Sequence, residues 1–140
     1  ETDYEFSNLE SLVHENADNS DMAAPICSGS RHFDAMVIVP CSMATMSKIA
    51  CGISDNVITR AAAVAMKERR KLIIVPRETP LSSVHLENML RLSREGVVML
   101  PAMPGFYGCP ETVSDIVDFI VGRIMDQLGL ETGPGPRWGE

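Results

Sequence analysis

Three short apolar runs, separated by segments of helical character, constrain the fold of this chain more than any other feature. The runs cover residues 33–40, 71–75 and 97–100. Their nearly continuous apolar character is typical of strands that are covered on both faces. Strands that alternate with helices of about 10 to 16 residues indicate βαβ units. The sequence therefore predicts an α/β fold in which a parallel sheet is flanked by helices in three layers.

Four helices are predicted around these strands, and capping residues indicate where they begin and end. Ser54 or Asp55 can cap the second helix, and Thr112 with Asp115 forms a Thr-x-x-Asp pattern at the start of the fourth. Glycine ends a helix readily because it adopts the left-handed conformation. The predicted helices cover about 43–51, 54–70, 83–94 and 112–128, with glycines at 52, 96 and 129 after the first, third and fourth. The fourth carries an apolar stripe made of Val113, Ile116, Ile120, Ile124 and Leu128.

The two ends of the chain show no such period. Residues 1–32 are polar and are predicted to be irregular, and the tail at 131–140 is rich in glycine and proline. Trp138 is the single tryptophan of the chain. Its position in this tail predicts that the tail docks on another surface.

Composition limits the classes of partner. The chain has 140 residues, 45% of them hydrophobic and 22% charged, which is expected of one globular domain. Its formal net charge of -7 argues against a nucleic acid as partner, because phosphate backbones attract basic surfaces. No apolar run approaches the roughly 18 residues that span a bilayer, and the opening residues ETDYEFSNLE lack the layout of a signal peptide. We expect a cytoplasmic protein without a membrane partner.

Four cysteines stand at positions 27, 41, 51 and 109, and no two of them form a Cys-x-x-Cys pair. The three histidines are too scattered for a zinc pattern, so no metal site is predicted. Buried free thiols are favoured over a redox or nucleophilic role.

Three loops should meet at one edge of the predicted sheet, because ligands of parallel sheets bind at the carboxyl ends of the strands. PCSMAT follows the first strand, PRETP the second and PAMPGFYG the third. The second loop places Arg77 and Glu78 directly after a strand that is built for burial. A solvated turn is the simplest explanation of these charges, and a ligand site is the alternative.

Several residues near these loops are candidates for binding an anion. Ser42 and Thr45 stand where a strand meets a helix amino terminus, where they can bind phosphate or merely cap the helix. Ser28, Gly29 and Ser30 fit either a turn or a binding loop. Arg60 and Lys67 are seven residues apart and share one helix face, for which exposure to solvent is the more frequent explanation.

Arg123 and Tyr107 complete the candidates. Arg123 lies beside the apolar stripe of the last helix, where a guanidinium needs an anionic partner or a cavity. Tyr107 lies in an exposed loop and can offer its hydroxyl group. With Arg77, and with Lys67 as a further candidate, these residues predict a phosphate site that works without a metal ion, in which Glu78 is the acid–base candidate.

The motifs, in this order, resemble those of the flavin prenyltransferases, the UbiX/Pad family. The resemblance implies a flavodoxin-like variant of the Rossmann fold, assembled as a dodecamer with active sites at subunit junctions. It implies transfer of a dimethylallyl group from dimethylallyl monophosphate to N5 and C6 of reduced FMN, which gives the prenylated FMN used by UbiD-type decarboxylases. The matching segments are DMAAPICSGS (21–30), VPCSMATMSKIACGISDN (39–56), ITRAAAVAMKERRKLIIVPRETPLSSVHLENML (58–90), LPAMPGFYGCPETVSDIVDFIVGRIMDQLGL (100–130) and PRWGE (136–140).

The same resemblance implies a role for each candidate. Glu78 would act near N5 of the flavin, and Glu1 matches a second acidic residue of the family. The FMN contacts implied are Ser42, Met43, Ala44, Thr45, Arg77 and Arg60. The contacts to dimethylallyl monophosphate implied are Tyr107, Arg123 and Lys67, with Ser28 and Gly29 close by from a neighbouring subunit.

One departure from the family and two rival functions follow from the same comparison of motifs. The family begins with a strand and a Gly-rich loop, which do not precede Glu1, so 1–140 is expected to be the C-terminal three quarters of a single flavoprotein domain. A cysteine decarboxylase of the phosphopantothenoylcysteine type shares a pattern like PCSMATMSKIACGISDN, but its Pro-x-Met-Asn motif is absent from this sequence. A flavin carrier or accessory subunit without turnover is the other rival.

Overall fold

A parallel three-stranded sheet forms the centre of the fold. The structure, a computed structural model, describes residues 6–130 and 133–134 of the chain. Strands β1 (Ala35–Cys41), β2 (Lys71–Pro76) and β3 (Val98–Met99) lie in the order β1-β2-β3. Ala35 pairs with Lys71 and Ile73 pairs with Val98, so all three strands run in the same direction. The predicted parallel sheet is confirmed.

Helices surround this sheet at the predicted places. The bounds are α1 Phe6–Glu10, a short 3-10 helix Pro25–Cys27, α2 Met43–Ala50, α3 Val57–Lys67, α4 Ser83–Arg94 and α5 Val113–Leu128. The glycines at 52, 96 and 129 have positive φ angles of 73°, 88° and 76°, as expected of residues that follow helix ends. Helix α1 and the 3-10 helix correct the expectation that 1–32 is irregular throughout.

The central strand is buried on both sides, which creates the three layers. Leu72 and Ile74 pack in one apolar cluster with side chains of α2, α3 and α4. Ile73 and Val75 point to the opposite face, where Ile124 of α5 joins them. All four β2 side chains are at most 1% exposed, and complete burial of such a side chain contributes about 1.5–3 kcal/mol. The predicted three-layer arrangement is therefore confirmed.

The caps differ from the prediction at one helix. Helix α3 is capped by Asn56 rather than by Ser54 or Asp55: the Asn56 side chain accepts a hydrogen bond from the Thr59 backbone N–H at 2.9 Å. The Thr59 hydroxyl oxygen in turn accepts from the Asn56 backbone N–H at 3.2 Å. Because this reciprocal arrangement satisfies two donors at once, the helix begins at Val57.

Two expectations about burial are wrong in part. Cys27 and Cys41 are buried as predicted, whereas Cys51 and Cys109 are exposed because they lie in the turns after α2 and before α5. The α5 stripe contributes Ile120, Ile124 and Leu128 to the core. Val113 is 77% exposed, because the first turn of the helix lies beyond the apolar contact with β2 and β3.

The chain turns back along α5 after Gly129. Gly133 lies against Gly122, and a Cβ atom added to Gly122 would collide with the carbonyl oxygen of Pro134. Of the predicted tail at 131–140, the structure describes only these two residues, 133 and 134, and the predicted docking of Trp138 lies outside the described residues. No helix in the described ranges is long and apolar enough to cross a bilayer.

The charged carboxylate of Asp115 at the start of α5 allows this part of the fold to be tested by changing the pH. The Asp115 carboxylate accepts hydrogen bonds from the backbone N–H groups of Thr112 at 2.8 Å and Glu111 at 2.9 Å, while Thr112 caps the helix. These bonds hold the pKa of Asp115 below its usual 3.8. A carboxyl group whose pKa is lower in the folded state stabilises the protein when the pH is above the unfolded-state pKa. This stabilisation is lost as the pH falls through the folded-state pKa.

We therefore expect Asp115→Asn to lower the melting temperature at pH 7. The gap to wild type should narrow as pH falls below 3.8, because protonation of Asp115 then favours the unfolded state, until the carboxyl group is neutral in the folded state as well. Thermal unfolding of both proteins between pH 7 and pH 3 measures the gap. Asp118→Asn, a change of the same type on the same helix, is the control. A gap that stays constant over this pH range would contradict the assignment.

Candidate active site

The three predicted loops meet in one cleft at the carboxyl edge of the sheet. Its volume is about 260 Å³. The Ala102 backbone N–H donates to the Pro76 carbonyl oxygen at 3.0 Å, and Cys41 pairs with Pro76, so the three strand ends are tied together. The lining residues are Met43 from the first loop, Pro76, Arg77, Glu78 and Thr79 from the second, Pro101, Ala102 and Met103 from the third, and Leu81 and Met89. The prediction that these loops share an edge is confirmed.

The first loop presents the amino terminus of α2. The Ser42 hydroxyl oxygen accepts from the Thr45 backbone N–H at 3.1 Å, and the Ser42 hydroxyl group donates to Thr45 Oγ1 at 3.0 Å. Ser42 is thus the N-cap, and Met43, the next residue, is buried and lines the cleft. Ala44 is exposed in the same turn. The N–H groups of a first helical turn lack partners within the helix, so this turn combines donors with an apolar wall.

The second loop places two charges at the mouth of this cleft. β2 is buried up to Pro76, and the exposed Arg77 and Glu78 follow at once. Glu78 Oε1 accepts a hydrogen bond from the Thr79 backbone N–H at 3.1 Å. The methionine and leucine side chains form apolar walls behind these charges. Such a cleft fits a flat, largely apolar ring system with polar edges, which is the shape of a flavin.

Tyr107 and Arg123 are both connected to α5. The Tyr107 ring packs edge-on against Phe119, with ring centroids 6.0 Å apart and an interplanar angle of 79°. Arg123 lies one helical turn after Phe119 on the same face. The anionic partner predicted for Arg123 is Asp126, with Arg123 Nη1 2.8 Å from its Oδ2. The Arg123 side chain is 54% exposed, so it lies outside the core.

A third group of candidates surrounds the loop Ser28–Gly29–Ser30. The Ser28 and Ser30 hydroxyl oxygens are 2.8 Å apart, and Arg60 Nε donates to the Cys27 carbonyl oxygen at 3.1 Å. Lys67 forms an ion pair with Glu68. A Cβ atom at Gly29 would lie 2.7 Å from Lys67 Nζ, so the loop backbone packs directly on this pair. Gly29 and Lys67 are therefore neighbours within one chain.

Lys67 does not lie at the edge that carries Arg77. Helix α3 leads into β2, so its last residue, Lys67, stands before the first residue of the strand, whereas Arg77 follows the last. Six strand residues separate the two edges by roughly 17 Å. Arg123 lies one turn from Gln127, whose carbonyl oxygen accepts from Lys71 Nζ at 2.6 Å at the start of β2. The expected gathering of all these cations at one edge is therefore wrong within a single chain.

Sequence reasoning missed one residue of the third group. Arg70 donates to two carbonyl oxygens of the loop that follows Ser28 and stacks on Phe33. The sequence ERRK at 68–71 gives no signal that distinguishes it from a solvated arginine, since its partners are about 40 residues away in the chain. Glu1 lies outside the described residues.

Comparison with known proteins agrees with this geometry. The family model described as Flavoprotein matches residues 4–125. The flavin prenyltransferase UbiX of Thermoplasma acidophilum is 54% identical over 138 residues, which cover 99% of this chain and 77% of that protein.

Two solved structures are closely similar. One is a dodecameric FMN-dependent UbiX-like decarboxylase from Escherichia coli O157:H7, with 50% identity, a TM-score of 0.96, and coverage of 100% of this chain and 76% of that one. The other is AnUbiX (PadA1) in complex with FMN and dimethylallyl pyrophosphate, with 46% identity, a TM-score of 0.96, and coverage of 100% and 74%.

Fold, cleft and family match together define a flavoprotein of the α/β class. Within that class, the chain belongs to the UbiX family of flavin prenyltransferases. The predicted family, fold class, flavin cofactor and prenyltransferase activity are confirmed.

The thiol next to the first loop provides a test of this geometry. Burial raises the pKa of Cys41 to about 11, so only about one molecule in a thousand carries a thiolate there at pH 8. We expect iodoacetamide at pH 8 to modify the exposed Cys51 much faster than Cys41 in the native protein. Peptide mass spectrometry over time measures both rates, and the denatured chain is the control in which they should converge. Equal rates in the native state would show that Cys41 is accessible.

Proposed function

We propose that this chain transfers a dimethylallyl group from dimethylallyl monophosphate to N5 and C6 of reduced FMN. The product, prenylated FMN, would serve a UbiD-type decarboxylase. The observation that carries the proposal is the cleft in which apolar walls and a helix amino terminus meet Arg77 and Glu78. The AnUbiX structure with FMN and dimethylallyl pyrophosphate supports the pairing of these two ligands.

The carboxyl-edge cleft is the flavin side of the proposed site. Reduced FMN supplies the nucleophilic N5 and C6 atoms to which the prenyl group becomes attached. Ser42, Met43, Ala44 and Thr45 would contact the flavin through the first turn of α2, and Arg77 would hold its polar edge. The apolar walls exclude water, which strengthens each of these polar contacts.

The phosphate side of the proposed site consists of cations and hydroxyl groups. When the C1–O bond of the substrate breaks, phosphate leaves with the electron pair and an allylic cation remains. Lys67 and Arg123 would stabilise the departing anion by preorganised charge, with donors from Tyr107, Ser28 and Gly29. Arg60, which the resemblance implies as an FMN contact, lies beside this group because its Nε donates to the Cys27 carbonyl oxygen, and it would reach the flavin from there. No metal ion is needed for this charge balance.

Carboxylates are the proposed general acid and base of the reaction. The N5–C1 bond would form as phosphate leaves, and N5 would release its proton. The C6–C3 bond would then form when the alkene is protonated at C2, and C6 would lose its proton. Glu78 lies at the mouth of the cleft, where one group could deliver the proton to C2 and accept the proton from C6. The hydrogen bond from the Thr79 N–H to Glu78 Oε1 orients the carboxylate. Glu1 is proposed as a second acidic residue on its match to the family alone.

The two sides of the site would come together between copies of the chain. In one chain, β2 separates Arg77 from Lys67, so one copy cannot hold both ends of a small substrate. The E. coli relative is a dodecamer. We therefore propose a homododecamer in which Arg77 and Glu78 of one copy face Lys67, Ser28 and Gly29 of another.

A decarboxylase is the second candidate function, because the E. coli relative with 50% identity is described as an FMN-dependent decarboxylase. An FMN carrier without turnover is the third. Incubation with reduced FMN and dimethylallyl monophosphate separates the transferase from both alternatives. A flavin heavier by one prenyl unit supports the transferase, whereas bound and unchanged FMN supports one of the other two.

In this assay, Glu78→Gln should retain FMN binding and slow product formation by about 100-fold or more, because the glutamine amide cannot accept the proton. Mass spectrometry of the flavin gives the rate, and fluorescence titration gives the FMN affinity. Glu87→Gln, on the exposed side of α4, is the matched control and should react like wild type. Unchanged turnover in Glu78→Gln would remove this residue from the mechanism.

Mixed assemblies test the division of the site between copies. At a dimethylallyl monophosphate concentration well below the KM of either variant, Glu78→Gln and Lys67→Ala should each be nearly inactive alone. If one site uses Glu78 of one copy and Lys67 of another, randomly mixed assemblies regain about a quarter of wild-type activity. Co-expression with two different affinity tags, followed by tandem purification, gives the mixed protein. Activity that stays at the mean of the two single variants would show that both residues act from the same copy.

A further inference from the structure

Arg70 occupies an unusual position between α3 and β2. Its Nη1 donates to the Arg31 carbonyl oxygen and its Nη2 to the Gly29 carbonyl oxygen, both at 2.7 Å. Its guanidinium carbon lies 4.6 Å from the centroid of the Phe33 ring. The side chain is partly buried, unlike that of the neighbouring Arg69. One guanidinium thus bridges two carbonyl groups on either side of Ser30 and stacks on the residue that leads into β1.

We propose that Arg70 is a positioning residue for the phosphate of the prenyl substrate, because it holds the Ser28–Gly29–Ser30 loop against Lys67. This inference rests on the proposed function, in which Ser28, Gly29 and Lys67 bind that phosphate. Arg70 itself does not touch the substrate. It acts by fixing the distance between the loop backbone and the lysine.

The geometry of the loop explains why a clamp is needed. Arg60 fixes the loop at Cys27, and Arg70 fixes it at Gly29 and Arg31. Within the part of the chain that the structure describes, α3 and the residues that follow it hold the loop by side-chain hydrogen bonds from Arg60 and Arg70. The planar fork of arginine suits two carbonyl groups at once, whereas lysine carries its charge at a single point.

Lys67 depends on the same clamp. The Gly29 backbone packs on the Lys67–Glu68 ion pair so closely that a Cβ atom would collide with it: the Glu68 Oε1 atom would lie 2.5 Å away. If the loop moves away, the Lys67–Glu68 pair loses the backbone that packs on it, and the ammonium group is no longer held beside Gly29. The loop position therefore controls how much of the positive charge of Lys67 faces an incoming phosphate.

This arrangement separates the effects on the two substrates. The carboxyl-edge cleft that would bind the flavin lies at the other end of β2. Loss of the Arg70 clamp should therefore raise the KM for dimethylallyl monophosphate and leave FMN affinity unchanged. A purely structural role would lower stability and affect both ligands together.

The test compares Arg70→Ala and Arg70→Lys with the matched control Arg69→Ala in the full-length protein. We expect the KM for dimethylallyl monophosphate to rise about tenfold in Arg70→Ala, with an FMN dissociation constant within about twofold of wild type. Arg70→Lys keeps the charge but cannot bridge both carbonyl groups, so it should remain close to Arg70→Ala. A KM in Arg70→Lys equal to that of wild type would overturn the clamp in favour of simple charge.

Two further variants keep the inference testable. Phe33→Leu removes the ring on which Arg70 stacks but keeps an apolar side chain against the core. It should therefore raise the KM for dimethylallyl monophosphate by a smaller factor. This variant replaces Arg70→Ala in the test if Arg70→Ala does not fold. Lys67→Ala is the benchmark for the phosphate subsite. A raised KM in Lys67→Ala with no change in Arg70→Ala or Phe33→Leu would overturn the role of Arg70 alone. No change in Lys67→Ala would overturn the proposed subsite together with this inference.

Discussion

Burial of β2 on both faces is the constraint on which the rest of this structure depends. Successive side chains of this strand enter two separate apolar clusters, one with α2, α3 and α4 and the other with α5. A strand enclosed in this way can meet solvent only at its two ends. Charged residues such as Lys71 at one end and Arg77 at the other are therefore confined to the strand ends, and ligands of such folds bind at the carboxyl end, where Arg77 lies.

Much of this architecture follows from local signals in the sequence. The continuous apolar run KLIIV predicts β2, the cap at Thr112 predicts the start of α5, and the glycines at 96 and 129 predict the ends of α4 and α5 within a residue or two. The meeting of three loops at one edge follows from parallel topology alone. These features are predictable because they depend on short-range geometry, namely side-chain period, cap chemistry and the direction of the strands.

Other features depend on contacts between distant segments, and the sequence did not predict them. The charge of Lys67 and its place on a helix face predict that it joins Arg77, yet the helix ends at the opposite edge of the sheet. Arg70 resembles a solvated residue until its carbonyl partners, about 40 residues away in the chain, are known. Cys51 and Cys109 are exposed because turns, rather than strands, carry them. In each case the position and exposure of the residue depend on tertiary packing, which the residue type alone does not predict.

The close approach between Gly122 and Pro134 links α5 to the backbone that follows it. Gly122 lies in the same turn of α5 as Phe119 and Arg123, and its missing side chain leaves a notch on the helix surface. The returning backbone fills that notch. A larger residue at 122 would displace the backbone at Gly133 and Pro134 from the helix, so the size of one helical residue determines how closely that backbone can follow the turn that carries Arg123.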